Sequence, residues 1–216
     1  MPQNYSIARK QMVRDQLIKR GICDERVLEA MLKVPRHLFV EEALVSQAYQ
    51  DHPINIGAGQ TLSQPYMVAF MLEKLALKPT DHVLEVGMGC GYQTAVLAEL
   101  VQQVYAIEFL QELFFKARKT LKKLAYSNMV LRLGDGSLGW PKYAPFDAIV
   151  VAAGGPVVPK PLLEQLKDQG RLILPVGPEG AQRLILVRKN GTVFEKEDLG
   201  ECRFVPLRGR YGISSV

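Results

Sequence analysis

Three glycines and two carboxylates form the densest group of chemistry-bearing residues in this sequence. Gly87, Gly89 and Gly91 follow the apolar run VLEV within VLEVGMGCGYQTAVLAEL, residues 83–100. Glu85 stands two positions before the first glycine, and Glu108 lies 21 residues after it, at the end of the next apolar run. Glycines between a strand and a helix let a nucleotide-like ligand touch the main chain, and a carboxylate after the next strand accepts ribose hydroxyls. The pattern predicts a cofactor site.

The spacing of the glycines favours S-adenosyl-L-methionine over a dinucleotide. Dinucleotide sites usually have G-x-G-x-x-G, and the third glycine of that pattern would fall on Tyr92. Glu85 would repel a pyrophosphate, whereas it suits a ligand with sulfonium and ammonium groups and no phosphate. We expect S-adenosyl-L-methionine as the cofactor and S-adenosyl-L-homocysteine as the product. An NAD-dependent oxidoreductase, or glycines that only shape a turn, are the alternatives.

Asp135 and Ser63 are the other polar residues placed where they could contact ligands. Asp135 lies between glycines in LRLGDGSLGW, after the third apolar run, where the exocyclic amine of an adenine would be its partner. An Asx turn is the alternative role for an aspartate in that setting. Ser63 precedes Gln64 and Pro65 at the start of a predicted helix. Helix N-termini attract anions, so its hydroxyl could donate to a carboxylate, or it could only organise the helix start.

A carboxylate acceptor would need alignment rather than deprotonation. Its pKa near 4 leaves it ionised at neutral pH, and alignment alone contributes about 7–11 kcal/mol. The sequence has few candidate bases for another acceptor: of His37, His52 and His82, only His52 lies in a suitable loop. The segment VVAAGGP after the fourth apolar run also lacks the Asn/Asp-Pro-Pro-aromatic motif that often marks N-methylation of nucleic-acid bases.

The elements that must position these residues alternate between strand and helix. Apolar strands are predicted at HVLEV, QVYAI, MVLRL and DAIVVAA, with helices at 91–101, 110–125 and 161–167. The runs RLILPVG and RLILVRK are joined by only PEGAQ, and KNGT makes a second hairpin turn. The fold prediction is a Rossmann-like, doubly wound α/β sheet, mostly parallel, with antiparallel C-terminal strands. Helices should cover both of its faces.

The first 80 residues are predicted to form an N-terminal helical extension. Helices are expected over residues 6–20, over ERVLEAMLK behind an Asp24 cap, and from Pro65 onward, with a loop over 46–64. We expect one domain, 1–216, in which 1–80 holds the helices and a substrate loop. Residues 81–216 then form the cofactor-binding sheet and the C-terminal strands.

Composition narrows the class of protein. Of the 216 residues 48% are hydrophobic, enough for a core, and the net charge of +5 comes from scattered Lys and Arg rather than a basic stripe. Three separated cysteines give no metal-ligand pattern, so no metal is predicted. MPQNYSIARK lacks a signal-peptide core, and no run is long enough to span a membrane. These features predict a cytoplasmic protein without nucleic-acid or membrane partners.

Six segments together resemble the protein-L-isoaspartate O-methyltransferases. They are QTLSQPYMVAFM, VLEVGMGCGYQTAVLAEL, GDGSLGW, PFDAIVVAA, LLEQLKDQGRLILPVG and RFVPLRGRYG, and the similarity runs from about residue 8 to 212. The Thr-x-Ser-x-Pro and Val-Pro-Leu blocks are specific to that family, whereas many methyltransferases share the glycine motif. The resemblance implies methylation of the free α-carboxylate of L-isoaspartyl residues in damaged proteins and peptides, by a protein we expect to be monomeric.

The resemblance also implies roles for individual residues. Ser63 would hold the substrate carboxylate, and Thr61 and Leu62 would line the cofactor pocket. The expected cofactor contacts are Glu85, Gly87, Gly89, Gly91, Glu108, Asp135 and Gly136. The substrate peptide would lie extended across Val205, Pro206 and Leu207, held through its main chain.

The sequence departs from the family pattern at three positions. Met88 and Cys90 stand where Thr or Ser is usual, and Arg208 stands where Thr is common. Hydrogen bonds from the first two side chains to a cofactor are therefore in question. A methyltransferase for a small molecule or RNA, and an inactive binding module with the same fold, stay open as alternatives.

Overall fold

A computed structural model describes residues 5–212. The helices are α1 (Tyr5–Met12), α2 (Glu25–Lys33), α3 (Pro65–Lys74), α4 (Tyr92–Leu100), α5 (Gln111–Lys123) and α6 (Lys160–Glu164). The strands are β1 (Ile54–Gly57), β2 (Gln60–Leu62), β3 (His82–Val86), β4 (Gln103–Glu108), β5 (Met129–Leu133), β6 (Phe146–Val151), β7 (Leu166–Val176), β8 (Gln182–Asn190) and β9 (Val193–Cys202). None of the described helices is long and apolar enough to cross a membrane.

Seven strands form the central sheet in the order β5-β4-β3-β6-β7-β8-β9. The five strands from β5 to β7 in this order run parallel to one another, whereas β8 pairs antiparallel with both β7 and β9. From β3 the chain winds outward through β4 and β5, then returns to place β6 on the other side of β3. Such a reversal opens a crevice at the carboxyl ends of the strands, where ligands bind in α/β sheets. The predicted sheet and both C-terminal hairpins are confirmed.

The two faces of the sheet are covered differently. One face packs against helices α1 to α5 in a continuous core that also includes Val83, Ala106 and Val150. The other face is covered by α6 and by side chains such as Trp140 and Tyr143 from the 134–145 connection. Helices were expected on both faces, and α6 provides one here, whereas the short β5–β6 connection carries only 3-10 turns. The N-terminal helices and the sheet share one hydrophobic core, as expected if the chain forms a single domain.

The N-terminal helices begin and end close to the predicted residues. After α1 the chain continues as a π-helical segment, Val13–Leu17, and a 3-10 turn, Ile18–Arg20, and it stops at Gly21, whose φ of 90° is left-handed. The Asp24 carboxylate accepts hydrogen bonds from Arg26 N at 2.9 Å and Val27 N at 3.4 Å, and so caps α2 as predicted.

Two predicted elements differ from the structure. The 46–64 segment is not all loop, because β1 and β2 form an antiparallel hairpin that buries Ile54, Ile56 and Leu62. The expected helix over 161–167 ends at Glu164, because Leu166 already pairs with Phe146 as part of β7. The first difference is a local hairpin with only two residues between its strands, whereas the second comes from a strand partner that is distant in sequence.

Candidate functional site

A cavity opens at the carboxyl ends of the parallel strands, beside the point where the strand order reverses. It encloses about 770 Å³ of space, the solvent at its open mouth included. Most of the predicted site residues line it. They are Thr61, Leu62, Ser63, Glu85, Gly87, Gly89, Glu108, Gly136, Val205, Pro206 and Leu207.

The glycine loop between β3 and α4 uses left-handed backbone at each glycine. The φ angles are 85° at Gly87, 56° at Gly89 and 89° at Gly91, conformations that strain residues with a side chain. Gly91 has a different task from the other two. A Cβ there would lie 3.0 Å from Leu121 Cδ1, so this glycine permits α5 to approach, and it is not part of the cavity lining.

Glu108 is 5% exposed at the end of β4 and is fixed by two main-chain bonds. Its Oε2 accepts from Gly89 N at 2.7 Å, and its Oε1 accepts from Leu110 N at 2.8 Å. A carboxylate has about four acceptor positions. Glu108 therefore retains capacity to accept further hydrogen bonds from ligand hydroxyls in the cavity that it lines.

Glu85 lines the same cavity but is completely buried. Its oxygens accept from Thr94 Oγ1 at 2.5 Å and from Gln93 Nε2 at 3.1 Å. Burial raises the pKa of Glu85 to about 8, the two hydrogen bonds oppose that rise, and the negative charge of Glu108 adds to it. A cation bound in the cavity would favour the ionised carboxylate.

Asp135 lies behind the site and is engaged by the C-terminal segment. Its Oδ1 accepts from Ser137 N at 2.8 Å, as in an Asx turn, and its Oδ2 accepts from Arg210 N at 2.8 Å. It is not part of the cavity lining, so the predicted adenine contact stays a prediction. Gly136 does line the cavity, and a Cβ there would lie 2.6 Å from Val86 Cγ1, so the position requires glycine.

Thr61 and Leu62 end β2, and Ser63 follows them just before α3. The N-cap of α3 is Gln64, and no side-chain hydrogen bond caps the helix. Ser63 therefore does not cap α3, and its half-buried side chain is left on the cavity wall. Its carbonyl oxygen accepts from Arg36 Nη2 at 2.6 Å, which fixes the main chain below the hydroxyl.

The Val205–Leu207 block forms the opposite wall and is bound to the loop after β6. Gly154 N donates to Val205 O, and Leu207 N donates to Gly154 O, each at 2.8 Å. The buried Gln182 side chain fixes the preceding residue through both the N–H and the carbonyl of Phe204. The carbonyl of Val205 and the N–H of Leu207 are therefore already paired within the protein, so fewer main-chain groups of this block are free to bond a substrate peptide.

The described residues offer no histidine base to the cavity. His37 bonds Tyr49 Oη at 2.8 Å, His52 bonds Pro53 O at 2.8 Å, and His82 lies at the opposite end of β3. None of the three is in the lining, nor does any described group of His, Cys, Asp or Glu form a metal site.

Sequence reasoning missed several residues in and around the site, among them Phe109 and Arg36. Phe109, 46% exposed, borders the cavity directly after Glu108, a position that could have been inferred from that carboxylate. Arg36 supports Ser63 from below and gave no local signal, because its burial depends on segments distant in sequence.

Comparison with known proteins gives one consistent answer. The family model described as protein-L-isoaspartate(D-aspartate) O-methyltransferase matches residues 8–212. A protein-L-isoaspartate O-methyltransferase 1 of Syntrophobacter fumaroxidans is 54% identical over 97% of this chain and 98% of its own. The Trichlorobacter lovleyi enzyme is 53% identical, covering 97% of each chain.

Solved structures agree with these relatives. One protein-L-isoaspartate O-methyltransferase superposes with a TM-score of 0.86 at 28% identity, covering 94% of this chain and 67% of its own. A Plasmodium falciparum structure, named a beta-aspartate methyltransferase, contains S-adenosyl-L-homocysteine. It superposes with a TM-score of 0.81 at 27% identity, covering 93% of this chain and 98% of its own.

Proposed function

Because this chain belongs to the protein-L-isoaspartate(D-aspartate) O-methyltransferase family, we propose that it methylates the free α-carboxylate of L-isoaspartyl residues in damaged proteins and peptides. S-adenosyl-L-methionine, when bound, supplies the activated methyl group. The observation that carries the proposal is one cavity that joins two acidic cofactor-type residues, Glu85 and Glu108, to the Ser63 and Val205–Leu207 walls. The proposed setting is the cytoplasm, consistent with the three free cysteines.

The lining fits this cofactor better than a dinucleotide. Glu108 has acceptor capacity for ribose hydroxyls, and the buried Glu85 favours a cationic ligand. Arg208 is the lining's single basic residue, against these two carboxylates, so a phosphate would meet little positive charge. Tyr92 fills the third-glycine position, fully buried and edge-on to Phe39. Met88 and Cys90 also line the cavity. Because a thioether and a thiol form only weak hydrogen bonds, we expect these side chains to affect the shape of the cavity more than hydrogen bonding to the cofactor.

The walls suit an acceptor that is already an anion. The described lining contains no histidine, and its two carboxylates, Glu85 and Glu108, are the groups that we assign to the cofactor. A carboxylate needs no base at neutral pH, so the protein's task is orientation. The Ser63 hydroxyl would donate to one carboxylate oxygen and leave the other free to receive the methyl group. In the resulting ester a backbone amide nitrogen would attack the ester carbonyl without enzymatic help and expel methanol, which forms a succinimide. Water then opens the succinimide, in part to normal aspartate.

A pair of matched peptides tests this function. One contains L-isoaspartate, and the other contains normal aspartate at the same position. We expect methyl incorporation into the first peptide only, as an ester that alkali removes. Equal labelling of both peptides, or a label stable to alkali, would reject the proposal and favour a different acceptor.

A further inference from the structure

Arg36 is a fully buried arginine directly behind the substrate wall of the cavity. It begins a 3-10 turn, Arg36–Phe39, after α2. Its Nε donates to Ala48 O at 2.8 Å, and its Nη2 donates to Ser63 O at 2.6 Å. The side chain therefore connects three segments that are distant in sequence and fixes the one that carries the Ser63 hydroxyl.

The positive charge of Arg36 has no anionic partner within the described chain. Its Nη1 is buried and reaches no hydrogen-bond acceptor among residues 5–212. The ionisable groups around it are Tyr92, Cys90 and Tyr49. Burial raises the pKa of Tyr92 to about 12 and that of Cys90 to about 11, and it also raises the pKa of Tyr49. All three are thus neutral at pH 7, and two of them line the cavity.

Two other arginines connect distant segments without being a fully buried charge that lacks an anionic partner. Arg26 donates to Leu77 O and Leu100 O but is only half-buried, so water solvates its charge. Arg171 also binds backbone carbonyls and is paired with the Asp81 carboxylate at 2.6 Å. The Arg36 guanidinium lies 4.8 Å from the centroid of the Tyr92 ring and donates to two carbonyls, but it faces no carboxylate. A buried charge without an anionic partner is costly, and an anion bound nearby would relieve that cost.

We propose that Arg36 is a positioning residue that selects an anionic acceptor, by fixing Ser63 and by placing a buried positive charge behind the substrate carboxylate. The inference rests on the proposed function. At a separation on the order of 8–9 Å, attraction between the guanidinium and a carboxylate bonded to the Ser63 hydroxyl would favour the charged ligand by roughly 5- to 30-fold at an effective dielectric constant of about 20–40.

A matched ligand pair isolates this charge effect from general damage to the site. One ligand is an isoaspartyl peptide, and the other is the same peptide with its α-carboxylate replaced by a carboxamide. Binding of each to the enzyme saturated with S-adenosyl-L-homocysteine is measured by calorimetry. In Arg36→Met we expect the preference for the carboxylate to fall by roughly 5- to 30-fold, mainly through weaker carboxylate binding. Arg36→Lys, which keeps the charge, should retain most of the preference.

Arg26→Met is the structural control, since it also removes an arginine that bridges backbone carbonyls. It should lower thermal stability and leave the preference unchanged. An unchanged preference in folded Arg36→Met, or equal weakening of both ligands, would overturn the inference. If Arg36→Met does not fold, a peptide with a ¹³C-labelled α-carboxylate settles the question in the wild type. Its bound carboxyl pKa should lie below the free value, and an unshifted or raised pKa would overturn the inference.

The two proposals fail in different ways. A wild-type protein that does not distinguish the isoaspartyl peptide from its aspartyl counterpart contradicts the proposed function. A wild type that methylates the isoaspartyl peptide, together with an Arg36→Met variant that keeps the carboxylate preference, contradicts only the role of Arg36.

Discussion

The buried carboxyl of Glu85 should make the stability of the cofactor-free protein depend on pH in an identifiable way. Its pKa rises from 4.5 to about 8 in the folded protein, mainly because of burial. A raised acid pKa means that the fold favours the neutral form. The contribution of Glu85 is therefore most favourable below about pH 4.5, falls as pH rises, and levels off above about pH 8. The full difference is about 4–5 kcal/mol.

Glu85→Gln removes this titration while keeping the shape of the side chain. An amide oxygen can still accept from Thr94, and Gln93 can present its own carbonyl to the new amide group. The free energy of unfolding, measured by denaturant titration without cofactor, should then rise relative to wild type as pH goes from 5 to 8.5. Glu112→Gln, at a carboxylate with 60% side-chain exposure on α5, is the control and should not reproduce that slope. A difference between wild type and Glu85→Gln that stays constant with pH would refute this account of Glu85.

Two further substitutions separate the cofactor side of the cavity from the acceptor side. Ser63→Ala should lower kcat/KM for the isoaspartyl peptide by roughly 10- to 100-fold through loss of a hydrogen bond to a charged group, with S-adenosyl-L-homocysteine affinity nearly unchanged by calorimetry. Full activity in that variant would show that the hydroxyl is dispensable. Glu108→Gln should weaken S-adenosyl-L-homocysteine binding by about 1.5–3 kcal/mol, because ribose hydroxyls lose a charged acceptor. An unaltered dissociation constant would place the ribose elsewhere.

Local sequence patterns were sufficient to predict the parallel strands, the glycine loop and the hairpin turn after β8. The apolar runs, the glycine spacing and the Glu85–Glu108 interval predicted the parallel strands and their shared edge, since parallel strands end on the same side of a sheet. The turn after β8 was predictable because Asn190 and Gly191 have a strong hairpin preference, and Gly191 has a φ of 58°.

Contacts between distant segments were not predictable from one sequence. The Oδ2 of Asp135 accepts from Arg210 N, 75 residues further along the chain, a partner that the sequence did not indicate; its contact with an adenine stays a prediction. Gly91 also permits α5 to pack closely against the loop, which its local sequence did not indicate, and its contact with the cofactor stays a prediction. The burial of Arg36 depends on Ala48 and Ser63, and nothing in its local sequence specifies those partners.

A crystal structure with S-adenosyl-L-homocysteine and an isoaspartyl peptide would test the central claim most directly. We expect the ribose hydroxyls on Glu108, the amino-acid end of the cofactor near Glu85, and the substrate α-carboxylate on the Ser63 hydroxyl, facing the cofactor sulfur. A cofactor bound outside the cavity between β3, β4 and β6, or an α-carboxylate turned away from Ser63, would contradict it.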